Sequence, residues 1–240
     1  MSERILIIED DQDISSFIQE LFTSSGYEAE VASDGEQGLS IALQGNWHLI
    51  LLDLSLPGLS GLEVLEAYRA QGRKTPVIII TALDRTESVV ESFQIGANDY
   101  ITKPFHSDVL LVRVRNLLDI FRHVGLEGAE DATTIIIDDL QIEPDSRKVI
   151  RGGDMIDLTP KEFDLLLYLA KNKNKVCSRE NILNAVWGYD FMADTNVIDV
   201  FIRYVRQKID KGRKKKLIQT IRGIGYSLQE SGQDPIEREE

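Results

Sequence analysis

Apolar positions in the first half of the chain fall into two alternating kinds of run. Short, dense runs at residues 4–8, 27–33, 48–54, 76–81 and 99–102 are separated by stretches in which apolar residues recur every three or four positions. The first kind reads as strand and the second as amphipathic helix, and their strict alternation predicts five parallel strands covered by helices. After the first strand, Ile14, Phe17, Ile18, Leu21 and Phe22 stand at i, i+3, i+4, i+7 and i+8, an apolar stripe ended by Gly26. The runs HLILLDL and PVIIIT are apolar without alternation, as central strands buried on both faces should be.

From His123 to Thr133 the pattern stops in an acidic stretch with Gly125 and Gly128, which reads as a linker over 123–133. The runs TIIIDDLQIE and RKVIRGGDMIDL follow, with turn chemistry at Pro144-Asp145-Ser146 and Gly152-Gly153, and predict a small antiparallel sheet. Thr159-Pro160-Lys161-Glu162 supplies an N-cap, a proline at the first helical position and a capping-box glutamate, ahead of the stripe Phe163, Leu166, Leu167, Ala170. A second helix follows Ser178 and ends near Gly188, a third spans about 195–210, and LIQTIRGIGYSL forms a closing hairpin. Three helices and a terminal hairpin make a winged helix-turn-helix over 134–229. Residues 230–240 read as a disordered acidic tail.

Composition narrows the classes. The 240 residues suit two domains, and 42% hydrophobic with 28% charged residues excludes wholesale disorder and collagen-like repeats. The longest apolar runs, at 77–80 and 165–170, fall far short of the roughly 20 residues a membrane span needs, so no membrane association is expected. MSERILIIEDD carries acids directly after four apolar residues and is no signal peptide, and the single Cys177 cannot form an internal disulfide. A reduced cytoplasm is the expected location.

The net charge of −13 hides a split. Residues 1–124 hold 9 Lys and Arg against 19 Asp and Glu, whereas residues 159–226 hold 14 against 7. An acidic front and a basic island point to two domains with different partners.

The acids of the front half sit where predicted strands end: Glu9 and Asp10, with Asp11, after the first, and Asp53 after the third. Ligands bind beyond the carboxyl ends of open parallel sheets. Converging carboxylates there call for a hard cation, and Mg²⁺ suits an all-oxygen site. Thr81 ends the fourth strand and Lys103 the fifth, adding a hydroxyl and an ammonium for the oxygens of a phosphoryl group. An aspartyl-phosphate hydrolase of the haloacid dehalogenase type would need a second Asp two residues after its nucleophile, and Ser55 stands there. A dinucleotide-binding Rossmann domain is disfavoured because the first strand runs into acids where a Gly-rich turn is required.

The motifs IEDD, LLDLSLPG, ITA and DYITKPF resemble, in order and spacing, a response-regulator receiver domain over residues 1–122. The resemblance implies a flavodoxin-like doubly wound α/β fold that is not an enzyme in its own right, with Asp53 as phosphoacceptor from a sensor histidine kinase. It implies Mg²⁺ held by Glu9, Asp10, Asp53 and the Ser55 carbonyl, phosphoryl oxygens bound by Thr81 and Lys103, a cis Lys103-Pro104 peptide, and Tyr100 as the switch aromatic. It also implies a homodimer on activation, through the fourth helix, fifth strand and fifth helix. At the charge-pair positions of that face this chain has Val89 with Val109 and Asn98 with Ile120, while Asp99 with Arg113 is retained. A dimer face held mainly by apolar contact is therefore expected.

In the basic half, the third helix places Ile198, Ile202, Val205 and Ile209 on one stripe and leaves Asn196, Asp199, Arg203, Arg206 and Gln207 facing out, as entry into a DNA major groove requires. Lys211-Gly212-Arg213-Lys214-Lys215-Lys216 adds five positive charges, and Thr220, Arg222 and Tyr226 lie on the wing, suited to DNA backbone or minor groove. LTPKEFDLLLYLA, SRENILNAVWG, VIDVFIRYVRQKI and IQTIRGIGY resemble the α+β effector domain of OmpR/PhoB-type regulators. That resemblance implies Trp187, Arg203 and Arg206 on the DNA backbone, Asp199 and Tyr204 at base-reading positions, and Arg222 as the wing contact. The loop 188–194 matches the segment that touches RNA polymerase in activating members. The whole reads as a phosphorylation-dependent transcriptional regulator binding repeated half-sites of double-stranded DNA. The alternatives are the same fold controlled independently of phosphorylation, and a basic half that docks protein rather than DNA.

Overall fold

The computed structural model describes residues 2–82, 86–124, 134–188 and 196–230, and divides into two compact units between His123 and Val124. Among the described residues no helix is long and apolar enough to cross a membrane.

The first unit alternates β1 (Arg4–Ile8), α1 (Gln12–Ser24), β2 (Glu28–Ala32), α2 (Gly35–Gln44), β3 (Leu49–Leu52), α3 (Gly61–Ala70), β4 (Val77–Thr81), α4 (Thr86–Ile95), β5 (Asp99–Thr102) and α5 (Ser107–Val124). All five strands are parallel, in the order β2-β1-β3-β4-β5. Every residue of β3 and β4 is buried, as their unbroken apolar runs predict. Alternate strand residues face opposite layers. Ile5, Ile7, Leu49, Leu51, Ile78 and Ile80 pack with Ile18 and Phe22 of α1 and Leu110, Val114 and Leu118 of α5. Leu6, Ile8, Ile50, Leu52 and Ile79 are buried on the other face, where α2 comes so close that a Cβ on Gly38 would meet the Ile8 side chain at 2.5 Å. Chain direction across the sheet reverses at β1, so the carboxyl ends of β1 and β3 flank the crevice where such sheets bind ligands.

Two expectations for this unit need correction. Phe17 is 50% exposed, because α1 buries Ile18 and Phe22 with Ile14 and Leu21 packed alongside, leaving Phe17 at the edge of the stripe. α5 continues through His123 and Val124, the first two residues of the linker expected over 123–133; residues 125–133 lie outside those described.

The second unit begins with the antiparallel sheet β6 (Ile135–Ile137), β7 (Leu140–Glu143), β8 (Lys148–Arg151) and β9 (Asp154–Met155). α6 (Pro160–Lys171) starts where Thr159-Pro160 predicts, and the Glu162 carboxylate accepts from the Thr159 N–H at 2.7 Å. Glu162 is nearly sealed from solvent and also takes the Lys208 ammonium at 2.6 Å, tying the start of α6 to the last turn of α8 (Asn196–Ile209). Between them come β10 (Cys177–Ser178) and α7 (Arg179–Val186), capped by Ser178. The hairpin β11 (Ile218–Ile221) and β12 (Gly225–Leu228) closes the unit, and β10 pairs with the free edge of β12. A Cβ on Gly225 would lie 2.0 Å from the Cys177 carbonyl oxygen, so glycine is what lets β10 approach. The tail after Glu230 lies outside the described residues.

Candidate functional site

At the carboxyl end of the first unit's sheet, Glu9 continues β1 by donating its N–H to Ala32 O at 3.0 Å, and Asp53 follows β3 with its N–H on Ile8 O at 2.9 Å. These backbone bonds fix both side chains over the crevice. Gly61 lets α3 abut the site, since a Cβ there would lie 2.0 Å from the Asp53 carbonyl oxygen. Asp10 is exposed, and carboxylate oxygens of Glu9, Asp10 and Asp53 lie within 4.8 Å of one another. Asp11 is not part of this cluster; it caps α1, accepting from the N–H groups of Asp13 at 2.9 Å and Ile14 at 3.1 Å.

Lys103, brought in by β5 and followed by a cis peptide to Pro104, donates to both buried acids: Glu9 Oε2 at 2.6 Å, Glu9 Oε1 at 2.8 Å and Asp53 Oδ2 at 2.6 Å. The other Asp53 oxygen, Oδ1, accepts from the Ser55 N–H at 2.9 Å. Burial raises the Glu9 carboxyl above its ordinary value, against the hydrogen bond from Lys103 and with a further push from the Asp53 charge. Burial alone would lower the Lys103 ammonium, but hydrogen bonds to Asp53 and Glu9 outweigh it and hold the group above the usual lysine range. Thr81 is fully buried at the end of β4. Tyr100 is buried on β5, its ring 6.3 Å from that of Phe93 on α4. The crevice thus offers an acceptor carboxylate fixed by two donors, all-oxygen ligands for a hard cation, and an ammonium within reach of any group placed on Asp53.

The residues expected at an apolar dimer face are mostly committed within the chain. Val89 is 2% exposed, one helical turn before the likewise buried Phe93. Asn98 is buried, its Oδ1 accepting from the Val77 N–H at 3.0 Å and from Arg69 at 3.3 Å. Asp99 and Arg113 form an ion pair at 2.7 Å inside one chain. Among the described residues of α5 the exposed apolar side chains are Val112 and Ile120, with Val109 half-buried one turn before Val112.

In the second unit, Ile198, Ile202, Val205 and Ile209 are buried as expected, joined by Val197 and Phe201. Arg203 and Gln207 lie exposed on the outer side of α8 with Asn196, while Tyr204 is half-buried beside them, its ring edge-on to Phe201 and 5.2 Å below Arg203. Arg206 donates to Ile218 O at 3.0 Å and Thr220 Oγ1 at 2.8 Å. Asp199 and Tyr226 are bonded to each other at 2.6 Å, and Arg222 is exposed on the β11–β12 turn. Trp187 corrects its assignment to a DNA contact: it is 1% exposed and packs edge-on against Phe201 at 5.2 Å, so the indole belongs to the core. The Tyr226 ring is likewise enclosed, at 4% exposure. Arg179 on α7, hydrogen-bonded to Asp199, was missed because nothing in the sequence spacing links the two. The segment 189–195, with most of the loop matched to polymerase contact, lies outside the described residues.

Residues 5–115 match the family model of the response regulator receiver domain, and residues 153–228 match that of the transcriptional regulatory protein C-terminal domain. The chain is 46% identical over 224 residues to the "Uncharacterized transcriptional regulatory protein YkoG" of Bacillus subtilis (strain 168), covering 93% of this chain and 97% of that protein. It is 43% identical over 227 residues to the response regulator ArlR of Staphylococcus saprophyticus subsp. saprophyticus, covering 95% and 99%. Among solved structures it is similar to a RitR mutant (TM-score 0.66, 30% identity, covering 95% of this chain and all of that one). It is also similar to DrrB, described as a Thermotoga maritima OmpR/PhoB homolog (TM-score 0.50, 31% identity, the same coverage).

Proposed function

The chain belongs to the response regulators of the OmpR/PhoB type, transcriptional regulators that join a receiver to a DNA-binding domain, and we propose that this one is switched by phosphorylation of Asp53. The carrying observation is the Lys103 ammonium, 2.6 Å from both Asp53 and Glu9 at the sheet's carboxyl end. A histidine kinase is the natural donor for a receiver. An oxygen of Asp53 forms the new bond to phosphorus as the P–N bond of the kinase phosphohistidine breaks, and the departing imidazole takes up a proton. Lys103 balances the incoming charge, and Thr81 binds a phosphoryl oxygen. The chain contributes the acceptor and its positioning and is not a catalyst of a separate reaction.

The donor set of Glu9, Asp10 and Asp53, with the Ser55 carbonyl, is all oxygen and fits Mg²⁺. When bound, Mg²⁺ neutralises the carboxylates and the phosphoryl oxygens. The exposed apolar residues of α5, Val112 and Ile120, suit a receiver face that pairs two copies, which in turn suits binding to repeated half-sites in the cytoplasm.

A streptococcal neighbour is described as one of a family of redox sensors evolved from response regulators. Thiol control has no support at the single cysteine of this chain: Cys177 is 5% exposed, and burial pushes its thiol up, away from the reactive thiolate. Incubation of the full chain with acetyl phosphate and Mg²⁺ tests the phosphoacceptor. Intact mass should gain one base-labile phosphoryl group in wild type and none in Asp53→Asn; equal labelling of the two defeats the assignment.

A further inference from the structure

The recognition helix α8 presents three faces, because successive residues step about 100° round its axis. Val197, Ile198, Phe201, Ile202, Val205 and Ile209 fill the core. Asn196, Arg203 and Gln207 are exposed opposite it, and half-buried Tyr204 borders that row, its ring edge-on to Phe201 at 6.1 Å. Between the two, Asp199, Arg206 and Asp210 form a flank along the closing hairpin, and each is bonded to it. Asp210 accepts from the N–H groups of Leu217 at 3.0 Å and Ile218 at 3.2 Å. Arg206 holds Ile218 and Thr220, as above.

Asp199 is the most exposed of the three, its side chain 44% accessible, yet it ties three elements together. Its Oδ1 accepts from Tyr226 Oη at 2.6 Å and from Arg179 Nε at 2.9 Å, so one carboxylate joins α7, α8 and β12. The Arg179 guanidinium lies 5.1 Å from the Tyr226 ring centroid and that of Arg206 lies 5.5 Å from it, so two cations contact the ring. Burial and the bond to Asp199 both raise the Tyr226 hydroxyl above its ordinary value, which keeps it a donor. To read a base, an aspartate accepts from the cytosine amino group. Here Oδ1 already serves two donors and Oδ2 faces Arg179 at 3.5 Å, so a base contact would compete with Arg179 and bring a negative charge up to DNA.

We propose, resting on the DNA-binding reading above, that Asp199 reads no base but positions the wing and Arg179 against the recognition helix, leaving base discrimination to Gln207 of the outward row and Tyr204 at its border. Asp199 acts through Tyr226 and Arg179. The two roles predict opposite patterns. Loss of a reader relaxes preference at one base pair and leaves nonspecific binding intact. Loss of a positioning residue weakens all binding alike, because backbone contacts and wing placement carry no sequence information.

The test uses the full chain, selection of bound sites from random duplex DNA, and affinities for the selected site and a scrambled duplex over a salt series. Asp199→Ala should lose about 5- to 30-fold on both duplexes, the range expected for one partly exposed charged hydrogen-bond cluster, and should select the same sequence as wild type. Tyr226→Phe should lose affinity in the same uniform way, and the double variant should be no worse than about twofold beyond the weaker single, since both cut the same link. Asp199→Asn retains an acceptor and should recover most of the affinity, which separates lost positioning from a failure to fold. Gln207→Ala or Tyr204→Ala should change the preferred base instead. A changed base preference in Asp199→Ala with undiminished scrambled-duplex binding overturns the proposal, as does unchanged selection in both Gln207→Ala and Tyr204→Ala. Wild type that shows no salt-dependent DNA binding fails at an earlier arm and defeats the DNA-binding reading itself.

Discussion

Replacing Lys103 by methionine removes a charge while keeping an unbranched side chain of similar volume. It leaves Glu9 and Asp53 facing each other with side chains 2% and 5% exposed and no cation between them. Stripping one partner from a buried ion pair costs about 3–5 kcal/mol. Lys103 is 14% exposed, and exposed Asp10 opens the crevice to water, so the loss should fall at about 2–4 kcal/mol in metal-free buffer. Mg²⁺ supplies the missing positive charge, so it should stabilise the variant more than wild type; a tenfold tighter site is worth about 1.4 kcal/mol extra at saturation. Native-state hydrogen exchange of the full chain reads this unit by unit, because the buried amides of β1 and β3 open only when the first unit unfolds. Their protection should fall about 30- to 1000-fold in Lys103→Met without metal and recover with Mg²⁺, while α8 stays unchanged. Unaltered protection of β1 and β3 in metal-free buffer would refute the charge argument, and an equal fall in α8 would mean the effect is not local to the site.

Three further outcomes follow from other regions. All five N–H bonds of half-buried Arg69 are used, on Gly96 O, Arg73 O, Thr75 O and Asn98 Oδ1, and desolvation pulls its guanidinium down to about 10. Arg69→Lys cannot satisfy them all and should cost about 2–4 kcal/mol, read from exchange of β4 and β5 amides; a loss below 1 kcal/mol would show the fork to be dispensable. Val112→Glu and Ile120→Glu should each abolish dimerisation of the beryllofluoride-treated chain in sedimentation while leaving Asp53 labelling intact, and two dimeric variants would place the dimer elsewhere. Cys177 should resist a thiol reagent in the native chain and react only as urea unfolds the second unit, so rapid modification without denaturant would contradict its burial.

Much of this protein is set by short-range pattern. The strands of the first unit, the capped start of α6 and the buried stripe of α8 follow from periodicity, capping chemistry and β-branched runs, which act over a few residues. Glu9, Asp53, Thr81 and Lys103 are legible as strand-end residues because a parallel α/β sheet gathers all its carboxyl ends on one edge. Only the folded chain decides which side chains are spent on one another. Lys103 bridges two acids from separate strands, and Asp11, beside them in sequence, turns away to cap α1. Val89, Asn98 and Trp187 sit at surface positions by resemblance and in the core by packing, since burial depends on what arrives from elsewhere in the chain. The two-residue β10 carries no periodicity and exists through its pairing with β12. Asp199 looks like a free reader on a helical wheel, and its commitment to Tyr226 and Arg179 appears only when elements 20 and 27 residues away close on it. Local sequence determines which elements form and which face is apolar; the long-range contacts that consume hydrogen-bonding capacity are fixed by tertiary structure alone.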